Sequence, residues 1–256
     1  MTKAAPFISL RRGAGVPLVL VHGYLGGAAQ WEAQLDALSQ HFDVIAVELA
    51  GYGGSWARDG QDSIAGFAKQ VLTGLSEQGI ERFHLMGHSM GGMIVQQMAA
   101  MAPKRIDRLI CYGTGPRGIM PDRFETIAAS RARVRAEGVS DTARRIAATW
   151  FAQGDQAAGY PLCVKLGEKV SEQTALGGLS AMEAWDGRAA LPHITQKALV
   201  IWGDRDRSYG WAQIEALWRG IADSSLCVLP GCAHAVHLEE PALFNQIVAR
   251  FLSDAS

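Results

Sequence analysis

Short apolar runs rich in β-branched residues alternate along this chain with longer segments of helical period, and this alternation constrains the fold more than any other feature. Residues 17–23 (PLVLVHG), 42–49 (FDVIAVEL), 82–87 (RFHLMG), 106–114 (IDRLICYGT), 197–203 (KALVIWG) and 225–231 (SLCVLPG) predict strands. Between and after them, residues 28–40 carry Trp31, Leu35 and Leu38 at helical spacing. Residues 62–78, 90–103 (stopped by Pro103), 211–221 and 241–252 predict further helices. Strands that are apolar on both faces must be covered on both faces. The expected class is therefore α/β, a mainly parallel sheet with helices on each side.

One stretch breaks the rhythm. Residues 116–191 contain no strand pattern, only helix-like segments interrupted by glycine. A structureless loop of that length does not occur inside a compact domain, so a helical insertion is expected there. The expected division is a core of residues 1–115 and 192–256 with the insertion at 116–191. A chain of 256 residues is long enough to bury roughly three quarters of its unfolded surface in one such domain.

Residues 86–92 (MGHSMGG) place a serine among glycines where a predicted strand meets a predicted helix. Gly87 and Gly91 flank Ser89 at two residues on either side, the G-x-S-x-G spacing of a sharp strand-to-helix turn. Such a turn presses those two positions together, so side chains there would clash, and it lifts the serine hydroxyl clear of the backbone. The alternative is a glycine-rich turn whose serine caps the next helix. Ser89 is the candidate nucleophile.

A serine hydroxyl needs a base. His234 and His237 both follow the last predicted strand, where a sheet of this kind places its chemistry. His234, three residues past Gly231, is the candidate base and His237 the alternative. His22 and His88 are expected to be structural, with rings bonded to nearby backbone. The imidazole in turn needs a carboxylate to fix its tautomer and stabilise its cation. Residues 202–208 (WGDRDRS) offer two: Asp206, three residues beyond Gly203, is preferred, and Asp204 is expected to hold the turn. Negative charge on an attacked carbonyl oxygen needs two N–H donors. Met90 follows the serine at a helix start, and Tyr24 in HGYLGG (22–27) can supply the other.

Together HGYLGG, ELAGYGGS, GHSMGG, GDRD and GCAHAVHLEEP resemble the α/β-hydrolase superfamily over nearly the whole chain. The resemblance implies a triad of Ser89, Asp206 and His234, an oxyanion hole from Tyr24 and Met90, and an insertion acting as a lid. Glu48 and Ala50 stand where many such chains have aspartate and proline, and Ser89 stands where epoxide hydrolases and haloalkane dehalogenases use aspartate. The layout is most similar to small ester and lactone hydrolases such as 3-oxoadipate enol-lactonase. The expected function is thus a serine hydrolase cleaving a carboxylic ester or lactone through an acyl-enzyme, on a small substrate carrying an anionic or an aromatic group. Two alternatives stay open: a carbon–carbon bond hydrolase of a ring-cleavage product, and a ligand-binding protein with vestigial hydrolysis.

The insertion carries Met120, Trp150, Phe151, Tyr160, Met182 and Trp185, and of these Trp150, Phe151, Tyr160 and Trp185 are the candidate pocket residues. Residues 117–169 hold nine Lys/Arg against six Asp/Glu, so one arginine, for example Arg131, Arg135, Arg144 or Arg145, could hold a substrate carboxylate. A net charge of -1 gives no global attraction to nucleic acid or an acidic membrane. Cys111, Cys163, Cys227 and Cys232 form no CxxC pair and are expected as reduced thiols. With no secretory or membrane-spanning pattern, a cytoplasmic location is expected. A small-molecule substrate is the expected partner, with no metal, no cofactor, and a homo-oligomer left open.

Overall fold

The computed structural model describes residues 8–121 and 123–253. Seven strands run in chain order as β1 (Ile8–Arg12), β2 (Pro17–Val21), β3 (Asp43–Val47), β4 (Phe83–His88), β5 (Ile106–Tyr112), β6 (Lys197–Gly203) and β7 (Ser224–Leu229). They form one sheet in the order β1-β3-β2-β4-β5-β6-β7, parallel throughout except for β1 against β3. The helices are α1 (Glu32–Leu38), α2 (Ile64–Glu77), α3 (Met90–Met101), α4 (Ile127–Ala148), α5 (Tyr160–Gly167), α6 (Glu172–Ala184), α7 (Trp211–Gly220), the short α8 (Val236–Glu239) and α9 (Pro241–Ser253). None of them is long and apolar enough to cross a membrane.

The period-2 geometry of a strand sends alternate residues to opposite faces, and β2 illustrates it. Val19 and Val21 join Phe67, Val71 and Ile94 of α2 and α3 on one side, while Leu18 and Leu20 pack with Trp31, Leu35, Phe244 and Val248 of the α1 and α9 side. All of these side chains are buried, each contributing about 1.5–3 kcal/mol by leaving water. The strand absent from the sequence expectations is β1. It lies at the sheet edge, and its Arg11 clasps the Asp43 carboxylate with two hydrogen bonds of 2.9 and 2.6 Å.

Serine and threonine side chains cap three helices. Ser63 accepts from the Gly66 N–H at the start of α2, Thr126 from Ala129 at α4, and Ser171 from Thr174 at α6. Helix α3 differs: its N-terminal flanking residue is Ser89, and that hydroxyl makes no capping bond. The capping alternative for Ser89 is therefore set aside.

Residues between β5 and β6 contain α4, α5 and α6, with α4 broken at Gly138, where φ is 82°. This insertion is tied to the carboxyl ends of the strands, for instance by the Ala235 N–H donating to the Trp150 carbonyl at 2.9 Å. Strand β2 pairs with β3 on one side and β4 on the other, so the chain reverses its winding direction there. That switch point, at the carboxyl edge, is where sheets of this kind open a crevice.

Candidate active site

Ser89 sits at that switch point in a backbone conformation that side chains rarely adopt, φ 58° and ψ -120°. Among the described residues only Leu25, at φ 55°, is a second non-glycine with positive φ, and it belongs to the loop after β2. Holding a residue there costs on the order of 1–3 kcal/mol and requires surroundings that fix it. The surroundings are backbone. A Cβ on Gly87 would lie 2.2 Å from the Gly91 carbonyl oxygen, and one on Gly91 would lie 2.3 Å from that of Val21. A Cβ on Gly23 would meet Ser89 Cβ at 2.9 Å. The elbow is further tied by Ser89 N–H donating to the Tyr112 carbonyl at 3.0 Å and by Thr114 Oγ1 donating to the Ser89 carbonyl at 2.8 Å.

The loops after β6 and β7 are pressed together in the same way, since a Cβ on Gly203 would lie 2.3 Å from the Ala233 carbonyl oxygen. Asp206 Oδ2 thereby reaches His234 Nδ1 at 2.8 Å, with both side chains almost wholly buried. Asp206 Oδ1 accepts from the N–H groups of Ser208 and Tyr209 at 2.7 and 3.2 Å, which fixes the carboxylate and aims its other oxygen at the imidazole. An Nδ1–H donated to Asp206 leaves Nε2 unprotonated and able to take a proton. Asp204 is turned away: its Oδ1 accepts from the Gly231 N–H at 2.7 Å and holds the neighbouring turn.

The carbonyl of His234 is itself held twice, by the Tyr112 hydroxyl at 2.8 Å and by His88 Nε2 at 3.0 Å. His88 is thus a brace for the base loop. Burial, with the neighbouring histidines adding to it, keeps its pKa well below the ordinary value. His237, the alternative base, lies behind this layer with its ring on Trp31 and its Nδ1 against the Tyr112 hydroxyl. Burial drives its pKa down to about 3, so it stays neutral and is a poor proton acceptor. His22 Nδ1 lies 2.9 Å from the Gly23 carbonyl, while its Nε2 accepts from the Leu49 N–H. Glu48 anchors the loop after β2 from below, accepting from the Ala28 and Gly54 N–H groups. Burial opposes its charge, but these bonds and His22 hold its pKa below the ordinary carboxylate range.

A narrow cavity opens onto Ser89 and His234. Tyr24, Ile146, Trp150, Met182 and Tyr209 complete much of its wall. The N–H groups of Tyr24 and Met90 have no hydrogen-bond partner among the described residues. Of the pocket residues expected from the sequence, Trp150 lines this cavity, and Phe151, Tyr160 and Trp185 do not. Phe151 follows Trp150 immediately and so turns the other way, packing on Gly159 and an outer groove. Tyr160 opens α5 at the edge of the core, and Trp185 is drawn toward α3 by the bond from its Nε1 to Gln97.

Tyr209 was not expected. Its ring stacks on His234 with centroids 5.7 Å apart, its hydroxyl neighbours Ser89, and burial pushes its pKa above the ordinary phenol range. The signal available was its position three residues after Asp206, on the same loop. The four arginines named as examples of the insertion's basic residues do not line this cavity. Arg131 pairs with Glu183, Arg144 with Asp141 and Glu168, Arg145 with Glu125, and Arg135 is exposed. The arginine that lines the cavity is Arg123.

Residues 16–241 match the family described as alpha/beta hydrolase fold. The chain is 29% identical over 253 residues to a protein of Agrobacterium fabrum named as a carbamate hydrolase, RutD, covering 96% of each chain. It is 28% identical to the pimeloyl-[acyl-carrier protein] methyl ester esterase of Aeromonas salmonicida, covering 94% of this chain and 97% of the other. The enol-lactonase of Burkholderia xenovorans LB400 superposes with a TM-score of 0.87 at 25% identity, over 96% of this chain and 95% of the other.

Proposed function

The chain belongs to the alpha/beta hydrolase fold family and is a hydrolase, and from that premise we propose that it cleaves a carboxylic ester or lactone of a small substrate through an acyl-enzyme on Ser89. The observation that carries this reading is a strained, uncapped serine sharing one cavity with an imidazole whose far nitrogen is 2.8 Å from a buried carboxylate. A methyl ester esterase and an enol-lactonase among the similar proteins support the ester or lactone choice.

In this reading His234 Nε2 removes the proton from Ser89 Oγ as the oxygen attacks the substrate carbonyl. The tetrahedral oxyanion is received by the free N–H groups of Tyr24 and Met90, the latter at the positive end of α3. Asp206 keeps the imidazole in the required tautomer and stabilises its cation without taking the proton. Collapse of the intermediate expels the alcohol oxygen, which receives the proton from His234. A water molecule, deprotonated by the same His234, then attacks the acyl-enzyme and regenerates Ser89, releasing the acid. No step requires a group other than these side chains, two backbone amides and water.

Hydrolysis of p-nitrophenyl butyrate by wild type and Ser89→Ala tests the proposal. Sustained turnover that falls by about 10⁴-fold or more in Ser89→Ala is expected. Equal rates for the two proteins would refute it.

A further inference from the structure

Arg123 has an unusual position for a guanidinium. It lines the cavity that holds Ser89 and His234, and it also lines an outer groove with Ile119, Pro121 and Ile127. It therefore stands where the cavity meets the surface. Its Nη1 donates to the Glu125 carbonyl at 2.8 Å and to Ser130 Oγ at 2.9 Å, and its Cζ lies over the Phe124 ring, 4.4 Å from the centroid. Those contacts fix the side chain and leave Nε and Nη2 without a partner among the described residues. Burial holds its pKa below the usual arginine value, and among the described residues it forms no ion pair with a carboxylate.

Glu125 acts on Arg123 electrostatically but forms no ion pair with it. Glu125 is held by Ser130, Arg133 and Arg145; burial opposes its charge, but the bonds from Ser130 and Arg145, with the charges of Arg145 and Arg123, keep its carboxyl below the ordinary range. Arg145 brings a second guanidinium toward the same spot, its buried Nε and Nη2 making no hydrogen bond, with Nε 3.8 Å from the Glu137 carboxylate. A half-buried cation normally acquires a counter-ion, because desolvation without pairing costs several kcal/mol. Among the described residues no carboxylate pairs with Arg123, which lines the cavity.

A second donor on the same wall is also unused. The Tyr24 hydroxyl is buried without a hydrogen-bond partner, and Tyr24 and Arg123 line the same cavity. A buried hydroxyl left unmatched is unfavourable, and an incoming acceptor oxygen would relieve it. Two donors of this kind match the two oxygens of a carboxylate, with the planar guanidinium setting its orientation.

We propose that this end of the cavity is a carboxylate subsite, in which Arg123 and the Tyr24 hydroxyl hold the acid group of a substrate whose ester or lactone carbonyl lies at Ser89. The substrate class is then an ester or lactone that also carries a free carboxylate, such as the half-ester or lactone of a short dicarboxylic acid. Arg123 acts on selectivity and binding, not on the bond that breaks. This assignment rests on the serine-hydrolase reading above.

The test uses two substrates that differ only in the terminal group, p-nitrophenyl pentanoate (methyl) and the mono-p-nitrophenyl ester of glutaric acid (carboxylate). Wild type is expected to favour the glutarate ester in kcat/KM by about 10-fold or more, and Arg123→Met to lower that ratio by about 10- to 100-fold, mainly through KM. Arg123→Lys should recover part of the preference, and Tyr24→Phe should lower it by about 3- to 10-fold, since only the hydroxyl is lost. These two variants carry the test if Arg123→Met does not fold. A wild-type ratio at or below one, or a ratio that Arg123→Met in its folded form leaves unchanged, overturns the subsite while the hydrolase reading stands. If wild type cleaves neither ester faster than Ser89→Ala, the hydrolase reading fails by itself, and calorimetric titration with glutarate decides the subsite. Binding about 10-fold weaker in Arg123→Met supports it, and equal or absent binding overturns it.

Discussion

The floor and the roof of the cavity are built from different materials. The floor is made of strand ends, where Gly23, Gly87, Gly91 and Gly203 let backbone lie on backbone with no room for a Cβ. The roof is the insertion, whose helices are laced by side-chain pairs such as Arg131–Glu183 and Arg144–Glu168 on exposed or half-exposed surfaces. A floor of this kind holds a serine and an imidazole in register because nothing in it can be repacked. A roof of exchangeable side chains can change what it admits without disturbing that register. In the proposed reading the chemistry sits on the floor and Arg123 sets selectivity from the roof, with Tyr24 serving both.

That contrast can be broken most severely at Asp206. Asp206→Asn keeps the shape of the loop but reverses the hydrogen bond that sets the imidazole tautomer. Ester turnover is expected to fall by about 10³- to 10⁴-fold. Asp204→Asn, on the turn beside it, should stay within about threefold and lose no more than about 1 kcal/mol of stability, since the amide oxygen still accepts from the Gly231 N–H without the carboxylate's charge. Comparing kcat for the two variants with their urea midpoints separates the roles; equal losses in kcat would erase the distinction.

Gly91→Ala attacks the floor directly. Its new Cβ would fall 2.3 Å from the Val21 carbonyl oxygen, so β2 and α3 must separate. A stability loss of about 3 kcal/mol or more is expected, against about 1 kcal/mol for Gly138→Ala in the roof, where a Cβ meets nothing within 4 Å. Thermal melts of the pair measure this.

A pH effect belongs to the floor as well. His237 is buried and neutral, with a pKa of about 3 against an ordinary 6.5. Between those values the unfolded chain carries a proton that the folded chain does not. Its contribution is therefore fully present above pH 6.5 and is lost as pH falls through the window, at about 1.4 kcal/mol per pH unit. Urea unfolding of wild type and His237→Gln from pH 6.5 downward should give a shallower slope for the variant; identical slopes would show that His237 does not titrate this way.

The smallest effect is expected on the roof surface. Arg144→Gln removes exposed pairs and should shift stability by no more than about 1 kcal/mol, with ester turnover within about twofold.

The floor was legible in the sequence because it is written in residue identity and spacing. Glycines two residues either side of Ser89 mark the close approach, and three residues from Gly203 to Asp206 give a loop long enough to turn back on His234. The helical insertion was legible from the loss of strand pattern. The roof's inner surface was not, because which side chain faces inward depends on how α4–α6 settle on the sheet. Trp150 lines the cavity and its neighbour Phe151 does not, a difference of one position at the end of a helix. Arg123 was hidden among nine basic residues of similar local context, and Tyr209 on a loop read only for its aspartates. Strand β1 escaped notice because an edge strand ending in Arg11 and Arg12 lacks the continuous apolar run of the buried ones.

The central claim is that Ser89 carries the acyl group. The direct measurement is mass spectrometry of the protein quenched during turnover of p-nitrophenyl butyrate, with peptide mapping. The account predicts one butyryl group on the peptide containing Ser89 in wild type quenched at early times, and none in Ser89→Ala. Turnover with no acylated Ser89, or acylation that persists in Ser89→Ala, would contradict it.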